Sequence, residues 1–215
     1  MFNRPPLDEA EQHFNHGLYY RNRNSREFDL SQAIEHFRQA IMLNPDVSDY
    51  HTELAKAYIA TPFLVITRGS KVDFELNSCL NLAIDELKKT IENDSAEASI
   101  HMVLGEAYMY QGDKRKAADA FQKAADASST SFSLFAPLAF IDGILYKSYA
   151  KRSLKSLEPT NAIFQPREAE ECIRRAVAYR DQSKYKKADK ELMQAFKFTS
   201  DWEWLYKTIC KIAGK

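Results

Sequence analysis

Five histidines and three cysteines are the residues of this chain best suited to metal binding or nucleophilic chemistry. His13 and His16 stand three apart, on one face of any helix, a spacing that metal sites use. His36, His51 and His101 complete the set, with no cysteine beside them and no HExxH pattern. His13, His51 and His101 recur at one position of the repeat described below, which reads as packing and not as ligation. Cys79, Cys172 and Cys210 are odd in number and form no CxxC pair, against both a disulfide framework and a zinc site. No glycine-rich phosphate loop, GxSxG elbow or Cys–His pairing is present, and Asp113 and Glu106 read as ordinary helix-surface carboxylates. The expectation is a non-enzyme with no metal and no cofactor.

The elements that would position these residues are helices. Six glycines and seven prolines in 215 residues, beside abundant Ala, Leu, Glu, Lys and Gln, favour long helices over many short strands. At 45% hydrophobic and 28% charged residues the chain can bury a core. Thirty basic residues balance thirty acidic ones, so the totals favour neither nucleic acid nor an anionic surface as partner. The most apolar window, residues 132–146, is shorter than the ~20 residues a spanning helix requires and contains Asp142, so no integral membrane segment is expected. The N-terminus lacks an apolar signal core and reaches Asp8 and Glu9 early; with unpaired cysteines this predicts a cytoplasmic protein.

Self-similarity organises the chain. Residues 98–129 contain Leu104-Gly105, Tyr108, Gly112, Ala117, Phe121 and Ala124. Leu104 and Tyr108 lie four apart on one helical face, and Gly105 leaves room for a partner helix to approach. Ala117, Phe121 and Ala124 form the inner face of that partner, and Gly112-Asp113 turns the chain between the two. This L-G-x2-Y…A-x3-F pattern resembles the tetratricopeptide repeat. The same frame fits Gly17 and Tyr20 with Ala33, Phe37, Ala40 and Pro45; Leu54-Ala55 and Tyr58 with Ala83, Leu87 and Thr90; and Ala176, Tyr179, Ala188, Leu192 and Ala195.

These units predict an all-α, right-handed solenoid of helix pairs in one domain, with repeats over about 10–47, 48–97, 98–131 and 169–200. From Tyr20 to Ala33, Tyr58 to Ala83, Tyr108 to Ala117 and Tyr179 to Ala188 the gaps are 13, 25, 9 and 9 residues, so the second unit carries an insertion at 60–77. Pro62 and Gly69 suggest an irregular path there. The apolar run Phe63, Leu64, Val65 and Ile66 between them predicts a fold-back over neighbouring helices or a contact with a partner. Residues 132–165 read as a degenerate helical segment and 201–213 as a capping helix.

The resemblance implies a protein–protein interaction scaffold whose first helices line a concave groove. In this sequence the groove positions include Phe14, Leu18, Lys56, Ile59, Met102, Val103, Glu106, Met109, Tyr110, Ile173, Arg174 and Val177. Family members that clamp a C-terminal carboxylate need Lys, Asn and Arg donors; Phe14, Leu18, Glu53, Ser99 and Val103 at those positions supply none in the required way. The apolar stripe instead suits an apolar peptide or an amphipathic helix. Two other readings stay open: the stripe is filled by the chain's own 132–150 or 60–77 segment, as in a fixed subunit or homo-oligomer, or the protein is membrane-peripheral. The latter rests on Lys147, Lys151, Arg152 and Lys155. Trp202, Trp204 and Tyr206 lie too close in sequence to share one face, which predicts an exposed or interfacial aromatic.

Overall fold

A computed structural model describes residues 8–22, 28–69, 72, 75–92, 98–127 and 163–214, without the side chains of residues 98 and 125–127. Nine α-helices occupy these residues: α1 (Glu9–Arg21), α2 (Leu30–Leu43), α3 (Ser48–Arg68), α4 (Cys79–Glu92), α5 (Ala98–Gln111), α6 (Lys114–Ala127), α7 (Pro166–Asp181), α8 (Tyr185–Phe198) and α9 (Trp202–Ala213). A 3-10 turn, Leu76–Ser78, leads directly into α4. Four helix pairs, α1/α2, α3/α4, α5/α6 and α7/α8, make the tightest associations, and α2 meets α3 as α4 meets α5. The architecture is therefore an all-α helical-repeat solenoid. Most of residues 132–165, with the basic run at 147–155, lies outside the described residues.

Local chemistry sets several helix ends. Asp8 and Asp29 accept from the backbone N–H groups of Glu11 and Gln32 at 2.8 and 3.0 Å, and Asp201 accepts from Trp204 at 2.9 Å, each satisfying an otherwise orphaned donor. Between α5 and α6, Gly112 takes the left-handed conformation and Asp113 caps Lys116 N–H at 3.0 Å. Pro166 opens α7, where its missing N–H costs nothing.

Within each pair the repeat frame matches volumes. Gly17 lies against the Phe37 ring and Gly105 against the Phe121 ring; a Cβ at either glycine would stand 2.5 or 2.6 Å from ring carbons. In the second and fourth units the equivalent positions are Ala55 with Leu87 and Ala176 with Leu192, all buried. Gly therefore faces Phe and Ala faces Leu, keeping the summed side-chain volume nearly constant across the helix crossing.

The insertion departs from the sequence expectation. Instead of an irregular path from Pro62, α3 continues as one 21-residue helix to Arg68 and ends at Gly69 in the left-handed conformation. Proline lacks the N–H that would bond the Tyr58 carbonyl and costs a helix interior about 3 kcal/mol. Phe63, Leu64, Val65 and Ile66 are all buried, at about 1.5–3 kcal/mol each, and that gain outweighs the proline. Every residue from Leu54 to Thr67 is buried, so this part of α3 is enclosed on all sides. It packs against α2, α4, α5, α7, α8 and α9. The extra two turns of a first helix thus become the axis on which the C-terminal helices assemble.

Candidate functional site

The inner face runs from α1 across α3 to α5 and divides into three parts of different chemistry. At the α1 end Phe14 and Leu18 are half-buried, and the Phe14 ring lies 4.8 Å from Tyr50 and 5.9 Å from Phe37, centroid to centroid. Met102 of α5 is also half-buried. With Val177, these are the apolar groove positions that keep exposed surface.

The middle is charged. Arg21 Nη2 stands 2.6 Å from Glu53 Oε2, and Lys56 Nζ donates to Glu53 Oε1 at 2.6 Å. Lys56 is buried, and desolvation pulls its pKa below the ordinary lysine value although Glu53 opposes the shift. Next to it in charge, but without a hydrogen bond to it, is Glu106. The sequence reading of Glu106 as a surface carboxylate is corrected by the structure. Its side chain is wholly buried, its Oε2 has no hydrogen-bond partner, and burial pushes its pKa up to about 8 against the weaker pull of Lys56. An acid whose folded pKa is raised binds a proton that the unfolded chain has already lost. Its contribution to stability is therefore present below the usual glutamate pKa and is lost as pH rises toward 8. Glu106→Gln should remove that slope. The urea midpoint of the variant is expected to vary less between pH 5 and pH 8 than the wild type's and to exceed it at pH 8.

At the far end the inner face is already covered. Tyr110 packs on Phe63 of the extended α3 at 5.8 Å and on Tyr206 and Trp202 of α9 at 5.1 and 6.1 Å. Phe196 of α8 completes the cluster against Phe63 and Trp202. Val103, Met109 and Ile59 are buried with Tyr110 in the main core. Of the α7 positions, Ile173 is buried, Val177 is half-buried against the core, and Arg174 is exposed and paired with Glu170 on its own helix. Of the three C-terminal aromatics Tyr206 is buried, while Trp202 and Trp204 are half-buried, Trp204 meeting the exposed Phe164 edge-on at 5.6 Å.

The recurring histidines face their partner helices. His13 Nδ1 lies 3.0 Å from His36 Nδ1, and His51 Nδ1 lies 2.9 Å from Glu86 Oε2 while its Nε2 lies 3.0 Å from the Pro45 carbonyl. His36 and Glu86 occupy the same place in their units, three residues after Ala33 and Ala83; the third unit has Ala120 there, and the His101 Nδ1 is left without a partner. The repeat frame carries a signal for those partners: in the first two units the residue three after the signature alanine meets the histidine. Among the described residues no group of three His, Cys, Asp or Glu side chains is arranged to hold a metal ion. The three thiols are buried, and burial raises the pKa of Cys79 and Cys210 to about 12, which leaves them as unreactive core residues. Among the described residues no helix is long and apolar enough to cross a membrane.

Stacked helix pairs sharing one inner face define a helical-repeat protein, a class built to bind other proteins. Residues 98–130 match the model of the tetratricopeptide repeat, so the chain carries a repeat of this family, a kind of module that serves protein–protein interaction. No curated protein matches the sequence significantly.

Proposed function

We propose that the protein is a non-enzymatic adaptor that takes an apolar peptide or one face of an amphipathic helix along the α1 end of its inner surface. The observation supporting this reading is the uneven covering of the stripe: Phe14 and Leu18 of α1 keep exposed area, as does Met102 on α5, whereas Tyr110, Met109 and Val103 are packed away. The Arg21–Glu53–Lys56 ion pairs flank the apolar part and suit the polar side of a bound helix. Leu18→Ser with Met102→Ser is the informative variant, since both side chains are partly exposed and their loss should leave the fold intact. In affinity capture beside wild type, a partner held by wild type and lost from the double variant is expected. A partner retained equally by both would move binding off this face.

A second reading has its own support. Phe63, Trp202 and Tyr206 fill the Tyr110 end of the face from within, as in a fixed subunit or homo-oligomer that offers its outer surface. Sedimentation over a range of concentrations separates the two, a constant monomer favouring the adaptor.

A further inference from the structure

Three imidazoles converge where α1 crosses α2. Beyond the His13–His36 contact at 3.0 Å, the His16 ring lies 5.1 Å from His36 edge-on, and Tyr20 stacks on the opposite side of His36 at 5.5 Å with an interplanar angle of 8°. A neutral imidazole has one N–H and one bare nitrogen, so two Nδ1 atoms at this distance make a hydrogen bond only if one carries the proton and the other does not. Once both rings are protonated, both nitrogens are donors and two positive charges face each other across the helix pair.

We propose that the His13–His36 pair, with His16 beside it, is a proton-released latch that lets go of α1, and with it the Phe14–Leu18 end of the inner face, when the medium is acidified below neutrality. The helix it holds is the first described element, and its principal packing partner is α2. End elements with few neighbours are where local opening is least costly. The remaining hold on α1 is the Arg21–Glu53 ion pair to α3 at 2.6 Å together with apolar contacts: Phe14 on Phe37 and Tyr50, Gly17 on Phe37, and Ala10 beside Ala40 and Tyr50.

The surrounding charges support the direction. His36 is held below the ordinary histidine pKa, first by burial and then by His13 and His16; Glu35 on its own helix opposes them. From α3, Tyr58 accepts from Arg38 Nε and Nη2 of α2 at 3.2 and 3.0 Å, and Glu53 pairs with Arg21 of α1. A histidine with a lowered folded pKa supplies stability that is complete above about pH 6.5 and is lost as pH falls below it. The second unit responds the other way. Its His51 is raised above the ordinary value, chiefly by the hydrogen bond with Glu86, so that pair gains where the first loses. The helix pairs of adjacent units thus carry opposite proton responses, and acid should loosen α1 selectively.

Hydrogen exchange of the full chain at pH 7.5 and 5.5, with a chelator present and rates corrected for intrinsic exchange, tests this. Protection of peptides within 9–21 is expected to fall, by about tenfold, while peptides within 79–92 keep theirs. His36→Gln, neutral and able to hydrogen-bond, should abolish the change, and His13→Gln should reduce it. The ratio between the two pH values is the readout, so a variant that loosens α1 at both still decides the matter. An α1 protection that is indifferent to pH, or a tenfold step that survives in both variants, would overturn the latch.

Discussion

Tyr206→Ala is expected to cost about 3–5 kcal/mol, among the largest losses a single side chain in this protein can produce. Tyr206 is nearly fully buried and lies 5.1 Å from Tyr110 and 5.7 Å from Phe63, where α9, α5 and the extension of α3 meet. Removing it leaves a ring-sized cavity at a junction of three helices that cannot collapse together. The phenol oxygen has no hydrogen-bond partner, and burial holds its pKa well above the usual tyrosine value. Tyr206→Phe should therefore be neutral or stabilising by up to about 1 kcal/mol, because the buried hydroxyl returns nothing for its desolvation. Chemical denaturation followed by circular dichroism measures both. A loss under about 1 kcal/mol for the alanine variant would mean that α9 does not dock on α3 and α5 as described.

Gly105→Ala is expected to destabilise by about 1–3 kcal/mol, an unusual direction for a substitution that raises helix propensity. The new methyl would stand 2.6 Å from two carbons of the Phe121 ring, so helix or ring must move. The repeat itself supplies the remedy. Units two and four solve the same crossing with Ala55 opposite Leu87 and Ala176 opposite Leu192, so Gly105→Ala combined with Phe121→Leu should recover most of the loss. A double-mutant cycle that came out additive would show that these two positions do not share one packing volume.

The aromatic cluster and the latch bear on function from opposite ends of the inner face. At the Tyr110 end the chain supplies its own occupant, which explains why the apolar stripe alone could not identify a ligand surface. At the α1 end the same stripe is carried by α1, and the histidine pair ties that helix to α2.

The periodic features of this protein were legible in the residues alone. Small-and-aromatic spacing defined the helix pairs and Gly112-Asp113 marked a turn, because each of these depends on residues close in the sequence. The path of residues 61–68 was not legible. Proline predicts a break from local sterics, and only the enclosure of Phe63 to Ile66 by α5, α7, α8 and α9 makes the continued helix the lower-energy course. Glu106 carries the same lesson. Its place in the repeat was readable, but a carboxyl pushed to about pKa 8 is the product of burial, and burial is decided by which distant helices close over a residue and not by the residues beside it.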